Sequence, residues 1–102
     1  MSFVEMRRYR LKVGAADRWV KIYKEKGYEA QRKYLGEPVG YYTIGVGDLN
    51  DIIHMWRYDT LEERAAKRKA LFEDPQWLEF VAEIAPLVET QENSILHSIL
   101  DD

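Results

Sequence analysis

The stretches Glu5-Met6-Arg7-Arg8-Tyr9 and His54-Met55-Trp56-Arg57-Tyr58 decide the fold of this sequence. Both have the composition and alternation of β-strands, in which successive side chains point to opposite faces of a sheet. If the two strands pair in phase, six side chains able to bind or exchange protons converge on one sheet face and line a pocket. These six are Glu5, Arg7, Tyr9, His54, Trp56 and Tyr58.

The sequence around these stretches predicts a complete set of elements. Gly36 is the expected stop of the first helix, and Thr60 with Glu63 forms a capping box at the start of the next one. A third helix begins at Asp74-Pro75 and ends at Pro86. The predicted segments are a strand over residues 3–12, a helix over 15–35, strands over 39–46 and 52–58, a helix over 60–72, the third helix, and a strand over 88–100.

This order is the ferredoxin-like split βαβ pattern, an α+β fold with a four-stranded antiparallel sheet and helices on one face. We expect one domain over residues 1–102. Both faces of the strands carry large apolar groups, since Phe3 and Leu11 alternate with Val4 and Met6. Because the helices can cover only one face, we expect a second copy to cover the other and form a homodimer whose two sheets enclose a barrel-like space.

Composition excludes several classes of function. The net charge of -3 gives no reason to expect a nucleic-acid partner. The absence of cysteine excludes disulfides, thiolate chemistry and cysteine-ligated metals. No stretch has the apolar length of a signal peptide or a membrane span, so we expect a cytoplasmic protein without membrane insertion.

Three groups of residues resemble the NIPSNAP family. They cover nearly the whole chain and occur in the family's order. The first is Glu5-x-Arg7-x-Tyr9-x-Leu11; the second is Leu35-Gly36-x-x-Val39-Gly40-Tyr41-Tyr42 with Gly47-x-Leu49-Asn50-x-x-x-His54-x-Trp56-x-Tyr58; the third is Arg64, Asp74-Pro75-x-Trp77 and Gln91-x-x-x-Ile95-Leu96.

The resemblance implies a dimeric α+β barrel built from ferredoxin-like subunits. That superfamily includes small monooxygenases and haem-degrading enzymes, with ligands or active sites in the sheet-enclosed cavity. The NIPSNAP family itself implies no settled catalytic activity, and we expect no cofactor.

The candidate residues for binding a ligand share a predicted position on the cavity-facing strands. They are Glu5, Arg7, Tyr9, Tyr41, His54, Trp56, Tyr58 and Glu92. Arg7 is suited to capture an acid group, and aromatic rings can stack on a flat ligand. The alternatives are that Glu5 and Arg7 only satisfy charges within the sheet and that the aromatic side chains are core or dimer interface.

His54 is the candidate catalytic residue, as a general acid or base, because its ordinary pKa lies near neutrality. The alternative is a hydrogen-bonded structural histidine. The histidine spacing predicts no metal site. The basic stretch formed by Arg64, Lys67, Arg68 and Lys69 is interpreted as a solvated helix surface.

Three functions remain open. The first is a homodimeric protein that binds a small hydrophobic or aromatic ligand. The second is a cofactor-independent enzyme resembling a monooxygenase or isomerase, with His54 as base and Arg7 holding an anion. The third is a protein-interaction module whose interior is filled by its own side chains. The volume of the cavity separates the third function from the other two.

Overall fold

The computed structural model describes residues 2–100 of the chain. A π-helical turn, Tyr23–Gly27, joins the first two helices, and a 3₁₀ turn, Ala85–Leu87, leads into the last strand. The strands and longer helices are β1 Phe3–Leu11, α1 Ala16–Ile22, α2 Tyr28–Leu35, β2 Gly40–Thr43, β3 Asp51–Tyr58, α3 Leu61–Leu71, α4 Pro75–Ile84 and β4 Val88–Leu96.

The four strands form one antiparallel sheet in the order β2-β3-β1-β4. This is the ferredoxin-like arrangement, in which the first and third strands lie at the centre. The core is made of side chains from one sheet face and from the helices that cover it, among them Leu11, Trp19, Ile52, Trp56 and Phe80. The predicted α+β class, strand order and one-sided helical cover are therefore confirmed.

Both predicted helix starts are confirmed by their capping hydrogen bonds. The Thr60 hydroxyl accepts from the Glu63 amide at 3.0 Å, while the Glu63 carboxylate accepts from the Asp59 amide at 2.8 Å. Asp74 accepts from the amides of Gln76 and Trp77 at the start of α4. The Tyr34 hydroxyl also donates to Asp74 at 2.8 Å, which ties α2 to the start of α4.

The first long helix differs from its prediction as one regular helix because the π-helical turn interrupts it at Tyr23–Gly27. Gly27 lies at the end of this turn and is buried. A Cβ atom added there would lie 2.7 Å from the Tyr23 ring and 3.0 Å from the Phe80 ring. Because Gly27 has no side chain, α4 can approach the turn closely. The periodicity of apolar residues in the sequence does not predict this contact.

Two strands end earlier than predicted. β2 ends at Thr43, opposite Ile52, and the following residues up to Asn50 form the connection to β3. Gly47 has a φ of +121°, which belongs to a turn and not to a strand. β4 ends at Leu96, which pairs with Val4 near the start of β1. Because β1 begins at Phe3, the residues after Leu96 have almost no length of β1 left to pair with.

The sheet face opposite the helices carries apolar side chains at its centre. Val4, Met6, Ile53 and Met55 are all partly exposed there.

No helix within residues 2–100 is both long and apolar enough to cross a membrane.

Candidate functional site

Strand pairing brings the predicted site residues together. Arg7 lies opposite His54, and Glu5 lies opposite Trp56, so these four side chains share one face of the sheet. On the other side of β3, Tyr41 lies opposite His54 and joins the same face. The structure thus meets the condition of in-phase pairing on which the predicted pocket depends.

The shared face is the one that the helices cover, which corrects the expected location of the pocket. Contrary to expectation, these side chains do not lie in a space between two sheets but point toward the helices of their own chain. The reason is that both faces of the strands carry apolar groups, so alternation alone does not say which face the helices take. Glu92 pairs with Arg8 and lies exposed on the opposite face, apart from the other candidates.

A pocket of about 430 Å³ lies between the helices and the sheet. Four of the predicted residues line it: Arg7, Tyr9, Tyr41 and His54. Its remaining walls come mainly from the helices and the start of β4. These lining residues are Trp19, Gln31, Arg68, Phe72, Trp77, Phe80, Val81, Ile84, Ala85, Val88 and Gln91.

Glu5 does not line the pocket but binds the side chain of Arg7, which does. Its carboxylate is fully buried and accepts hydrogen bonds from Arg7 at 3.0 Å, from Arg64 at 2.8 and 3.0 Å, and from Asn93 at 3.3 Å. Burial opposes ionisation, but the hydrogen bond and the charges of Arg64 and Arg7 lower the pKa of Glu5 overall. One carboxylate thus joins β1, α3 and β4.

Arg7 is held in place by two side chains of its own strand. Besides its bond to Glu5, its Nε donates to the Tyr9 hydroxyl at 3.0 Å, and its side chain is only 6% exposed. The Trp19 indole donates to the Tyr41 hydroxyl at 3.1 Å on another wall of the pocket. Burial raises the pKa of Tyr41 well above its ordinary value, so this hydroxyl stays protonated.

The surroundings of His54 fix its protonation state. Its Nδ1 accepts a hydrogen bond of 2.6 Å from the Trp56 indole, and the ring stacks on Tyr41 with centroids 4.6 Å apart. Burial, and then the charges of Arg7 and Arg68, lower the pKa of His54 to about 3. The neutral ring therefore carries its proton on Nε2, where it can donate a hydrogen bond. This arrangement disfavours a general base at neutral pH and favours a donor.

Two predicted residues are buried without lining the pocket. Trp56 orients His54 through its indole, and Tyr58 packs against Phe3 with ring centroids 5.9 Å apart. Both side chains belong to the hydrophobic core beside the pocket. Within residues 2–100 no cluster of three His, Asp or Glu side chains is arranged to hold a metal ion.

Sequence reasoning missed the part that α3 plays in this site. Arg64 and Arg68 were interpreted as solvated surface, yet Arg64 binds the buried Glu5 and Arg68 lines the pocket. The two are four residues apart, and the fully buried Leu71 follows Arg68 by three, so all three lie on the core-facing side of the helix. That spacing was the available signal, and Lys69 on the exposed side does fit the original interpretation.

The fold and site define a ferredoxin-like α+β domain with a polar and aromatic pocket between its sheet and its helices. A model of the NIPSNAP family matches residues 4–99, and the chain belongs to this family.

Two comparisons within the family show how much of the chain is similar. The NipSnap homolog of Dictyostelium discoideum is 34% identical over 92 residues, which are 90% of this chain and 40% of that protein. The chain thus spans about two fifths of that relative's length. The crystal structure of a NIPSNAP family protein of unknown function from Agrobacterium tumefaciens has a TM-score of 0.89 and 42% identity, covering 93% of this chain and 86% of that one.

A more distant structure supports the fold alone. A Nitrosomonas europaea protein named "putative antibiotic biosynthesis monooxygenase" superimposes with a TM-score of 0.66 at 13% identity, covering 96% of this chain and 90% of that one. The two chains share the ferredoxin-like architecture.

We predict that Glu5→Gln lowers the free energy of unfolding at pH 7 by about 3–5 kcal/mol, because it leaves buried guanidinium groups without their carboxylate. Folding lowers the pKa of Glu5, so its stabilising contribution is complete above the ordinary value of 4.5 and is lost as the pH falls through the folded value. Urea unfolding of wild type and variant at several pH values should show the difference shrinking in acid.

The matched control for this prediction is Glu25→Gln, which removes an exposed carboxylate and should leave stability nearly unchanged. Equal stability of wild type and Glu5→Gln at pH 7 would contradict the role given to the buried carboxylate.

Proposed function

We propose that this protein is a homodimer in which each subunit binds a small hydrophobic or aromatic molecule in the pocket between its sheet and its helices. The observation that supports binding most strongly is the volume of about 430 Å³, which lies in the range of small-molecule sites. An interaction module filled by its own side chains would leave no such space.

The composition of the walls supports an apolar or aromatic ligand. Trp19, Phe80 and Trp77 form a continuous aromatic cluster, with ring centroids 5.9 Å apart for the first pair and 4.9 Å for the second. Flat rings of a ligand gain both burial and stacking against such a surface. His54 enters this proposal as a hydrogen-bond donor that orients the ligand, because its Nδ1 is already occupied by Trp56.

The open face of the sheet supports the homodimer. Val4, Met6, Ile53 and Met55 form an apolar centre there. Met6 lies directly opposite Met55, and Val4 and Ile53 are the next residues of that face on β1 and β3. A second copy placed sheet to sheet would bury this surface and give the barrel-like assembly expected from the family resemblance.

Ligand binding is tested by filling the pocket. Ala85→Trp adds a large ring at a pocket-lining position, while Ala82→Trp makes the same change at an exposed position of α4 that does not line the pocket. We expect members of a panel of small aromatic compounds to raise the melting temperature of wild type and Ala82→Trp but not of Ala85→Trp. A panel without effect on wild type, or with equal effects on all three proteins, would contradict the proposal.

The dimer is tested by placing a charge on the open face. Ile53→Glu should convert a dimer to a monomer at micromolar concentration in sedimentation velocity, because the carboxylate would be buried between two sheets. Ile53 is partly exposed in the single subunit, so the separated subunit can carry the new charge in contact with water and stay folded. Ile99→Glu makes the same change at a side chain that is 97% exposed and should remain dimeric. A monomeric wild type would refute the assembly.

A further inference from the structure

The pocket contains hydrogen-bond donors that have no acceptor. Among residues 2–100, His54 Nε2 and Trp77 Nε1 are buried and make no hydrogen bond, and both side chains line the pocket. A buried donor without a partner costs about 1–3 kcal/mol, so folded proteins rarely retain one unless something else satisfies it. His54 is 2% exposed, which leaves the pocket as the place from which a partner can come.

Arg68 adds a positive charge to the same pocket. Its guanidinium lies 5.5 Å from the centre of the Phe72 ring, and among the described residues it makes no ion pair with a carboxylate. Burial, followed by the charge of nearby Arg7, lowers the pKa of Arg68. Arg64 on the same helix shows the opposite effect, because its hydrogen bond to Glu5 raises its pKa. Arg68 is therefore a guanidinium that lines the pocket and has no carboxylate bonded to it among the described residues.

The balance of charge around the pocket is positive. Arg7, Arg64 and Arg68 surround one buried carboxylate, Glu5, and none of the described side chains that line the pocket is acidic. Glu5 is fully engaged by Arg7, Arg64 and Asn93. A half-buried charge without a partner is costly, and an anion bound from solution would offset that cost.

We propose that the pocket binds an organic anion, whose flat apolar body packs against the aromatic wall and whose acidic group is held by Arg68 with His54 Nε2–H as a second donor. The inference rests on the proposed function and narrows its ligand class. It assigns the charge-binding role to Arg68 on α3 and not to Arg7, which is already bonded to Glu5 and Tyr9. A carboxylate and a phosphate ester share the required chemistry.

The test compares 2-naphthoate, 2-naphthyl phosphate and the neutral 2-naphthamide by isothermal titration calorimetry. We expect at least one of the two anions to bind wild type about 10-fold or more tightly than the amide, in keeping with a hydrogen bond to a charged group. The tighter of the two anions identifies the acidic group. Equal affinity for all three probes would overturn the anion inference but would leave the proposal of an aromatic pocket in place. If none of the three probes binds, both the anion inference and the proposed function are contradicted.

Two variants of α3 distinguish a specific effect of Arg68 on anion binding from an effect of the protein's overall charge. Arg68→Gln should weaken binding of the preferred anion about 10- to 100-fold and leave the amide unchanged, because a charged donor is lost from the pocket. Lys69→Gln removes the same charge from the exposed side of the helix and should change neither affinity. An anion affinity that Arg68→Gln leaves intact would refute the assignment. The comparison of probes on wild type stands even if that variant folds poorly.

Discussion

The buried carboxylate of Glu5 is the interaction on which the rest of the structure depends. It is fully enclosed, and Arg7, Arg64 and Asn93 donate to it from β1, α3 and β4. A carboxylate in this position is tolerated only because it is paired and hydrogen-bonded. The same bonds fix Arg7 beside the pocket and tie α3 to the sheet.

The polar centre beside the pocket is unbalanced in charge. Three guanidinium groups meet one carboxylate, and Arg64 is both bonded to that carboxylate and partly exposed to water. Arg68 is left facing an aromatic cavity together with the proton of His54 Nε2. A closed hydrophobic core rarely contains such groups, and this is the reason for proposing that the pocket binds a ligand. His54 fits this view as a neutral donor whose other nitrogen is held by Trp56.

Strand alternation in the sequence predicted which side chains share a face, but neither the pairing of the strands nor the surroundings of the site residues. Alternation within each strand is local and correctly groups Glu5 with Arg7 and His54 with Trp56. The in-phase pairing of β1 with β3 joins residues far apart in the sequence, so from the sequence it could be stated only as a condition. The face that receives the helices could not be predicted, because Ile53 and Met55 are as apolar as their alternating neighbours. The role of Arg68 depends on how α3 is rotated against the sheet, which only its spacing to the buried Leu71 indicated. Glu92 lies on the opposite face from the other candidates for a similar reason, since its face is set by the register of β4.

The most direct test of the account is the titration of the Glu5 carboxyl group, followed by carbon NMR of selectively labelled protein. The account predicts a pKa below the ordinary value of 4.5, because the hydrogen bond from Arg64 and the charges of Arg7 and Arg64 outweigh the cost of burial. A pKa above that value would mean that the cost of burial outweighs the hydrogen bond and the charges of the two arginines. The central ion pairs, and the charge imbalance derived from them, would then be contradicted.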